Sequence, residues 1–120
     1  MTILVVEDDP QILALIDRLL TRRNYTVIAA ADPDDALIAA SEHGGAVDLL
    51  LTDIMLADRS GVEFARSLQA TLPKLKIVFM TGWPHREPSA LRSGIGPVIR
   101  KPFAAEALYK IIDEQFAPKD

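Results

Sequence analysis

The run Val47-Asp48-Leu49-Leu50-Leu51-Thr52-Asp53 constrains this chain more than any other stretch. It has the length of a strand, is mostly apolar, and ends on a lone carboxylate. A strand that leaves no alternating polar face belongs inside a sheet covered on both sides, as parallel sheets are. Open α/β sheets bind ligands outside the carboxyl ends of their strands, which is where Asp53 would stand.

The remainder of the chain supplies such a sheet. Thr2–Val6 reads as a buried strand, followed by Glu7-Asp8-Asp9 and Pro10. Asp9 before Pro10 is a helix start, a capping carboxylate ahead of a proline whose missing N–H costs nothing at the first helical position. The helix carries a core stripe of Ile12, Leu15, Ile16, Leu19 and Leu20 and ends near Arg22-Arg23-Asn24. Tyr25–Ala30 is a second strand. Asp32-Pro33 repeats the cap-then-proline signature, and its helix runs through Ala36, Leu37 and Ala40 to a stop at His43-Gly44-Gly45, with His43 a solvated end cap. Val47–Thr52 then delivers Asp53.

A third helix bears Val62, Ala65, Leu68 and Leu72 and ends at Pro73, and Leu75–Met80 is a fourth strand leading to Thr81-Gly82. The segment Trp83 to Pro88 holds two prolines, so a helix there starts near Pro88 and lasts about two turns before Gly94 and Gly96. Pro97-Val98-Ile99 is a short fifth strand at an edge, closed by Lys101-Pro102. Phe103 to Phe116 forms the last helix, with Leu108, Ile111 and Ile112 inward. Five strands alternating with helices predict an α/β domain over residues 1–120, a parallel sheet between two helical layers.

Composition removes several function classes. A net charge of −4 and a pI near 5.1 are not the basic footprint of a nucleic-acid binder. The absence of cysteine excludes disulfide and thiolate chemistry. No apolar run approaches the roughly 20 residues of a membrane span, and no basic, then apolar leader precedes the first strand. A cytoplasmic protein is the expectation.

In a parallel sheet all strand carboxyl ends share one rim, and four of them carry polar groups: Glu7-Asp8, Asp53, Thr81 and Lys101. Taken singly each has an ordinary reading as a helix cap, a turn or a solvated lysine. Those readings do not explain why three acids, a hydroxyl and an ammonium share one rim. Three carboxylates in a crevice repel one another unless a cation or proton compensates. With no histidine or cysteine at these ends, an oxygen-only site for a hard divalent ion follows, Mg²⁺ first among them. A lysine and a hydroxyl facing it suit an incoming phosphoryl group, and a carboxylate nucleophile would yield an aspartyl phosphate.

These motifs resemble the receiver domain of two-component response regulators. The resemblance rests on Ile-Leu-Val-Val-Glu-Asp-Asp-Pro, Asp-Leu-Leu-Leu-Thr-Asp-Ile with a glycine eight residues after the aspartate, Val-Phe-Met-Thr-Gly and Lys-Pro-Phe, in order over nearly the whole chain. It implies a flavodoxin-like doubly wound sheet of strand order 2-1-3-4-5. It implies that Asp53 accepts the phosphoryl group and that Asp8, Asp53 and the backbone carbonyl of Met55 ligate Mg²⁺, with Glu7 acting through water. Thr81 resembles the switch hydroxyl, Lys101 the lysine that pairs with the phosphoryl group, and Pro102 the proline often preceded by a cis bond.

The implied partners are a histidine kinase or histidine phosphotransfer protein upstream and another protein downstream. The domain would be a monomer or weak dimer, either standing alone or part of a longer hybrid kinase or regulator. It would be no enzyme beyond its own phosphorylation and dephosphorylation.

The sequence also departs from the family. Val98 stands where an aromatic switch residue is usual, and Ala57 where a proline is common. The segment from Thr81 to Lys101 is short and holds Pro84 and Pro88, so an atypical partner surface is expected there. Met55 and Trp83 are bulky at positions that flank the path of the hydrolytic water, which predicts slow loss of the phosphoryl group. A pseudo-receiver that signals by protein contact without phosphorylation is the alternative. A Mg²⁺-dependent phosphatase would need an acid at Met55, and a nucleotide binder would need a glycine-rich loop where Glu7-Asp8-Asp9 stands.

Overall fold

The computed structural model describes residues 1–56, 59–82 and 93–117. Its strands are β1 (Thr2–Val6), β2 (Thr26–Ala30), β3 (Leu49–Asp53), β4 (Lys76–Thr81) and β5 (Val98–Arg100). All neighbours run parallel, in the order β2-β1-β3-β4-β5. This is the order implied by the resemblance, and β3, with every residue buried, lies at its centre.

Side chains alternate across a strand, so each apolar run feeds two layers. Leu4, Val6, Leu50, Ile77 and Phe79 face α2 (Pro33–Glu42) and α3 (Gly61–Thr71), meeting Ala36, Ala40, Ala65 and Leu68. Ile3, Val5, Leu49, Leu51, Val78 and Met80 face α1 (Pro10–Arg22) and the C-terminal helix (Ala105–Phe116), meeting Ile16, Leu20, Leu108 and Ile112. The three-layer reading holds.

Both cap-then-proline signatures start helices. Asp9 accepts hydrogen bonds from the N–H groups of Gln11 and Ile12 at 2.9 and 3.3 Å, and Asp32 from Asp35 at 2.8 Å. His43 is the exposed C-cap of α2, followed by Gly44 and Gly45 at φ 75° and 72°. The boundaries differ modestly from expectation. β3 starts at Leu49, with Asp48 just ahead of it still donating its N–H to the Thr2 carbonyl at 2.9 Å and accepting the Thr2 N–H on its side chain at 2.7 Å. The strand at the second edge runs Val98–Arg100, and the last helix starts at Ala105.

Two helical residues read as facing inward or along the core do not. Leu15 and Leu37 are 46% and 47% exposed, because each lies at the edge of an apolar stripe whose centre alone reaches the sheet. The expected helix near Pro88, together with Trp83, Pro84 and Ala57, lies outside the described residues.

After Asp53 the chain folds back in a two-pair antiparallel ladder, Met55 with Ser60 and Leu56 with Arg59. Ser60 then caps α3, accepting from the Glu63 N–H at 3.2 Å. The return is tight at Gly61. Its N–H donates to the Ile54 carbonyl at 2.6 Å, and a Cβ there would stand 1.8 Å from the Asp53 carbonyl oxygen, so no other residue fits. The glycine eight residues after the aspartate is thus what lets the loop turn back beneath Asp53.

Candidate functional site

Strand register gathers the polar residues. Val6 pairs with Thr52, so Glu7 and Asp53, each one residue further on, emerge side by side from β1 and β3. Thr81, the last residue of β4, pairs with Arg100, the last of β5. The Lys101 N–H donates to the Thr81 carbonyl at 2.7 Å, which carries the ladder one step beyond β5 and turns the lysine toward the acids. The Lys101–Pro102 bond is cis, as the resemblance implied.

The Lys101 ammonium lies 2.6 Å from an Asp53 oxygen and 2.7 Å from a Glu7 oxygen. The other Glu7 oxygen accepts from the Asp9 N–H at 3.1 Å. Glu7 is 1% exposed, Asp53 6% and Thr81 4%, while Asp8 is open to solvent. Burial pushes the Asp53 carboxyl up to about 8, with Glu7 adding to the rise and Lys101 opposing it. Burial alone would lower the Lys101 ammonium, but its hydrogen bonds to Asp53 and Glu7 outweigh that and hold it charged.

One ammonium thus compensates two buried acids incompletely, and Asp8 adds a third. Carboxylate oxygens of Glu7, Asp8 and Asp53 all lie within 4.8 Å of one another. Three carboxylates against one lysine leave two formal negative charges, the complement of a divalent cation. A set of hard oxygen donors with no nitrogen or sulfur fits Mg²⁺.

The acids and the lysine open onto a cavity of about 550 Å³. Asp8, Asp53, Thr81 and Lys101 line its polar side, and Ile12, Leu15, Met55, Met80, Pro102 and Phe103 its apolar side. Every site residue expected from the sequence, Glu7 apart, borders this space, and Glu7 sits behind Asp53 and Lys101.

The family model for the response regulator receiver domain matches residues 3–113. The chain belongs to that family. Among curated relatives, the sensor kinase CckA of Brucella abortus is 31% identical over 99% of this chain, which spans 13% of that kinase. Among solved structures, the receiver domain of the hybrid histidine kinase CckA superposes with a TM-score of 0.81 at 27% identity, covering 98% of this chain and all of that one. The TrrA response regulator of Thermotoga maritima, in complex with Mg²⁺ and BeF, gives a TM-score of 0.81 at 28% identity over 95% of this chain and 97% of its own. The protein is therefore a receiver domain of phosphorelay signalling. It spans less than half the length of the curated relatives it matches.

Two parts of this receiver's site were not anticipated. Leu15 and Phe103 were assigned to the core and to a helix start, yet both border the cavity. Nothing in a helical repeat tells which edge of its stripe faces sheet and which faces crevice. The double pairing of Lys101 with Asp53 and Glu7 was also not foreseen, since the lysine was assigned to an incoming phosphoryl group and not to the resting acids. Val98 packs half-buried against the α2 and α3 side of the sheet, where an aromatic ring is usual. No helix among the described residues is long and apolar enough to cross a membrane.

Proposed function

We propose that Asp53 accepts a phosphoryl group from the phosphohistidine of a histidine kinase or histidine phosphotransfer protein. The observation that carries this is a buried carboxylate at a strand end, 2.6 Å from a lysine and open to a cavity on one side. An Asp53 oxygen bonds to phosphorus, the phosphorus–nitrogen bond breaks, and its electron pair leaves with the imidazole. Lys101 is already at the reacting oxygen and pairs with the phosphoryl group that arrives there. Thr81, on the adjacent strand end, is the hydroxyl placed to hydrogen-bond a phosphoryl oxygen once one is present. Glu7 keeps Lys101 oriented from behind.

Asp8, Asp53 and the Met55 backbone carbonyl would hold Mg²⁺, with Glu7 joined through water, and the ion would supply positive charge for the phosphoryl oxygens. The modified aspartate then favours a second arrangement of the Thr81 and Lys101 region, a population shift read by a downstream protein. Residues 1–120 act as one domain, alone or within a longer protein of the cytoplasm, monomeric or weakly dimeric. Turnover of other substrates is not expected.

The test is intact mass after incubation with acetyl phosphate and Mg²⁺, with Asp53→Asn alongside. One added phosphoryl group on the wild type alone is expected, and its appearance on both proteins, or on neither, would overturn the assignment. The Met55 side chain, at the mouth of the cavity, shields the acyl phosphate from water. Met55→Asn should shorten the adduct's lifetime severalfold after donor removal, whereas an unchanged decay would remove that role.

A further inference from the structure

The two edges of the sheet are finished differently. β5 is three residues long, follows Pro97 and ends on Arg100, all features that discourage pairing with another strand. β2, Thr-Val-Ile-Ala-Ala, has none of them. It carries no charge and no proline, and all five of its residues pair with β1 without a bulge. Its inward backbone groups are spent on β1, from the Thr26 N–H, which donates to the Met1 carbonyl at 3.0 Å, to the Ala30 carbonyl, which accepts from the Glu7 N–H at 3.1 Å. Alternation along the strand therefore turns the N–H and carbonyl groups of Val27 and Ala29 outward. Thr26 and Ala29 are exposed, and α2, which packs over β2, exposes Leu37 at 47% and Ile38 at 59%.

We propose that β2 is a self-association surface, on which a second copy of this chain adds its own β2 antiparallel and merges the two five-stranded sheets into one. Register and charge identify the partner. Centred on Ile28, the pairing sets Val27 of each copy opposite Ala29 of the other, so the outward N–H groups of each strand meet the outward carbonyls of its partner. Exposed Arg22 stands before β2, and exposed Asp32 and Asp35 follow it. Antiparallel pairing brings the basic end of each strand to the acidic end of its partner, whereas parallel alignment would set like charge on like. The contact is isologous and closes with two copies. Asp53 stays accessible, since β1 separates β2 from β3.

Sedimentation velocity of the full chain over a concentration series tests the surface. The wild-type mass should climb from 13.2 kDa toward twice that value. Ala29→Lys, at an exposed position, puts an ammonium into each half of the pairing. It should stay monomeric while its urea midpoint and its phosphorylation by acetyl phosphate remain those of wild type. The register has its own readout, because the chain has no cysteine. Ile28→Cys should give a disulfide-linked dimer on mild oxidation, since an antiparallel pair without hydrogen bonds places its Cα atoms about 4.5 Å apart. Thr26→Cys should not, since its two copies would lie about 14 Å apart along the strands. A monomer at every concentration would overturn the proposal, as would a dimer that survives Ala29→Lys. Equal cross-linking from both cysteine variants would overturn the register.

Discussion

Lys101 and Arg23 each hold an aspartate at 2.6 Å, yet the two aspartates are driven in opposite directions. Asp53 is buried beside a second acid, and its carboxyl rises to about 8. Asp113 lies on the C-terminal helix with a third of its side chain in water. Burial there acts upward too, but hydrogen bonds from the Tyr25 hydroxyl and the Arg23 guanidinium outweigh it, and Asp113 falls below the usual carboxylate range.

Contact distance therefore does not set the state of a carboxylate. The supply of water and the number of acids competing for one cation do. The Arg23 cluster is a clamp. Arg23 also lies over the Tyr109 ring at 5.1 Å, Tyr25 packs against Phe116 at 5.8 Å, and the Tyr109 hydroxyl donates to the Leu19 carbonyl at 2.9 Å. Its hydrogen bonds tie the C-terminal helix to the end of α1 and to Tyr25. The rim leaves negative charge unbalanced, which is the condition for taking up a cation and a phosphoryl group.

The sharpest break of this contrast is Lys101→Met. It leaves Glu7 and Asp53 buried with no countercharge, and removing one partner of such a cluster costs about 3 kcal/mol. Urea denaturation of the metal-free protein at pH 8 should show that loss, smaller at pH 5 where the acids take up protons instead. An unchanged midpoint at both pH values would mean that the lysine contributes nothing to the resting rim.

Opposite pKa shifts give opposite pH dependence. The folded Asp53 binds its proton more tightly than an unfolded aspartate. Its contribution to stability is full below about 4 and is lost as pH rises through about 8. Metal-free protein should lose roughly 2 kcal/mol between pH 6 and 8, and Asp53→Asn should remove that limb. Since the proton must leave before a cation binds, Mg²⁺ should stabilise more at pH 8 than at pH 6. Asp113, shifted down, contributes above the ordinary carboxylate range and loses that contribution as pH falls through it. Asp113→Asn should therefore flatten only the acid limb. A single limb affected by both substitutions would deny the contrast.

How much of this was legible beforehand follows the same division. β1, β3 and β4 were readable because continuous apolar runs have one stable place, and the rim was readable because parallel strands end on one edge. Asp9-Pro10 and Asp32-Pro33 marked helix starts through chemistry confined to a few residues. The exposure of Leu15 was not readable, because a five-residue stripe does not say which of its edges meets the sheet. Nor was the clamp, since Arg23 and Tyr25 reach Asp113 across 90 and 88 residues. Pairings of that span depend on how the C-terminal helix is placed over α1, which no local pattern encodes.

The smallest effect concerns the clamp itself. Tyr25→Phe keeps the ring that packs on Phe116 and deletes only the hydroxyl that donates to Asp113. Arg23 still serves the other carboxylate oxygen and the freed one belongs to a side chain that is a third exposed to water, so the cost should be about 1 kcal/mol, the net value of one such hydrogen bond. Burial, and then the bond to Asp113, pushes the Tyr25 hydroxyl up to about 12. Its contribution is full below the ordinary tyrosine value near 10 and disappears as pH rises through about 12. The gap between wild type and Tyr25→Phe should thus be constant from pH 6 to 9 and close at more alkaline pH, while acyl phosphate formation at Asp53 stays unchanged in the variant. A change in that rate would show that the clamp and the rim are coupled through α1, and the two regions would then have to be treated as one.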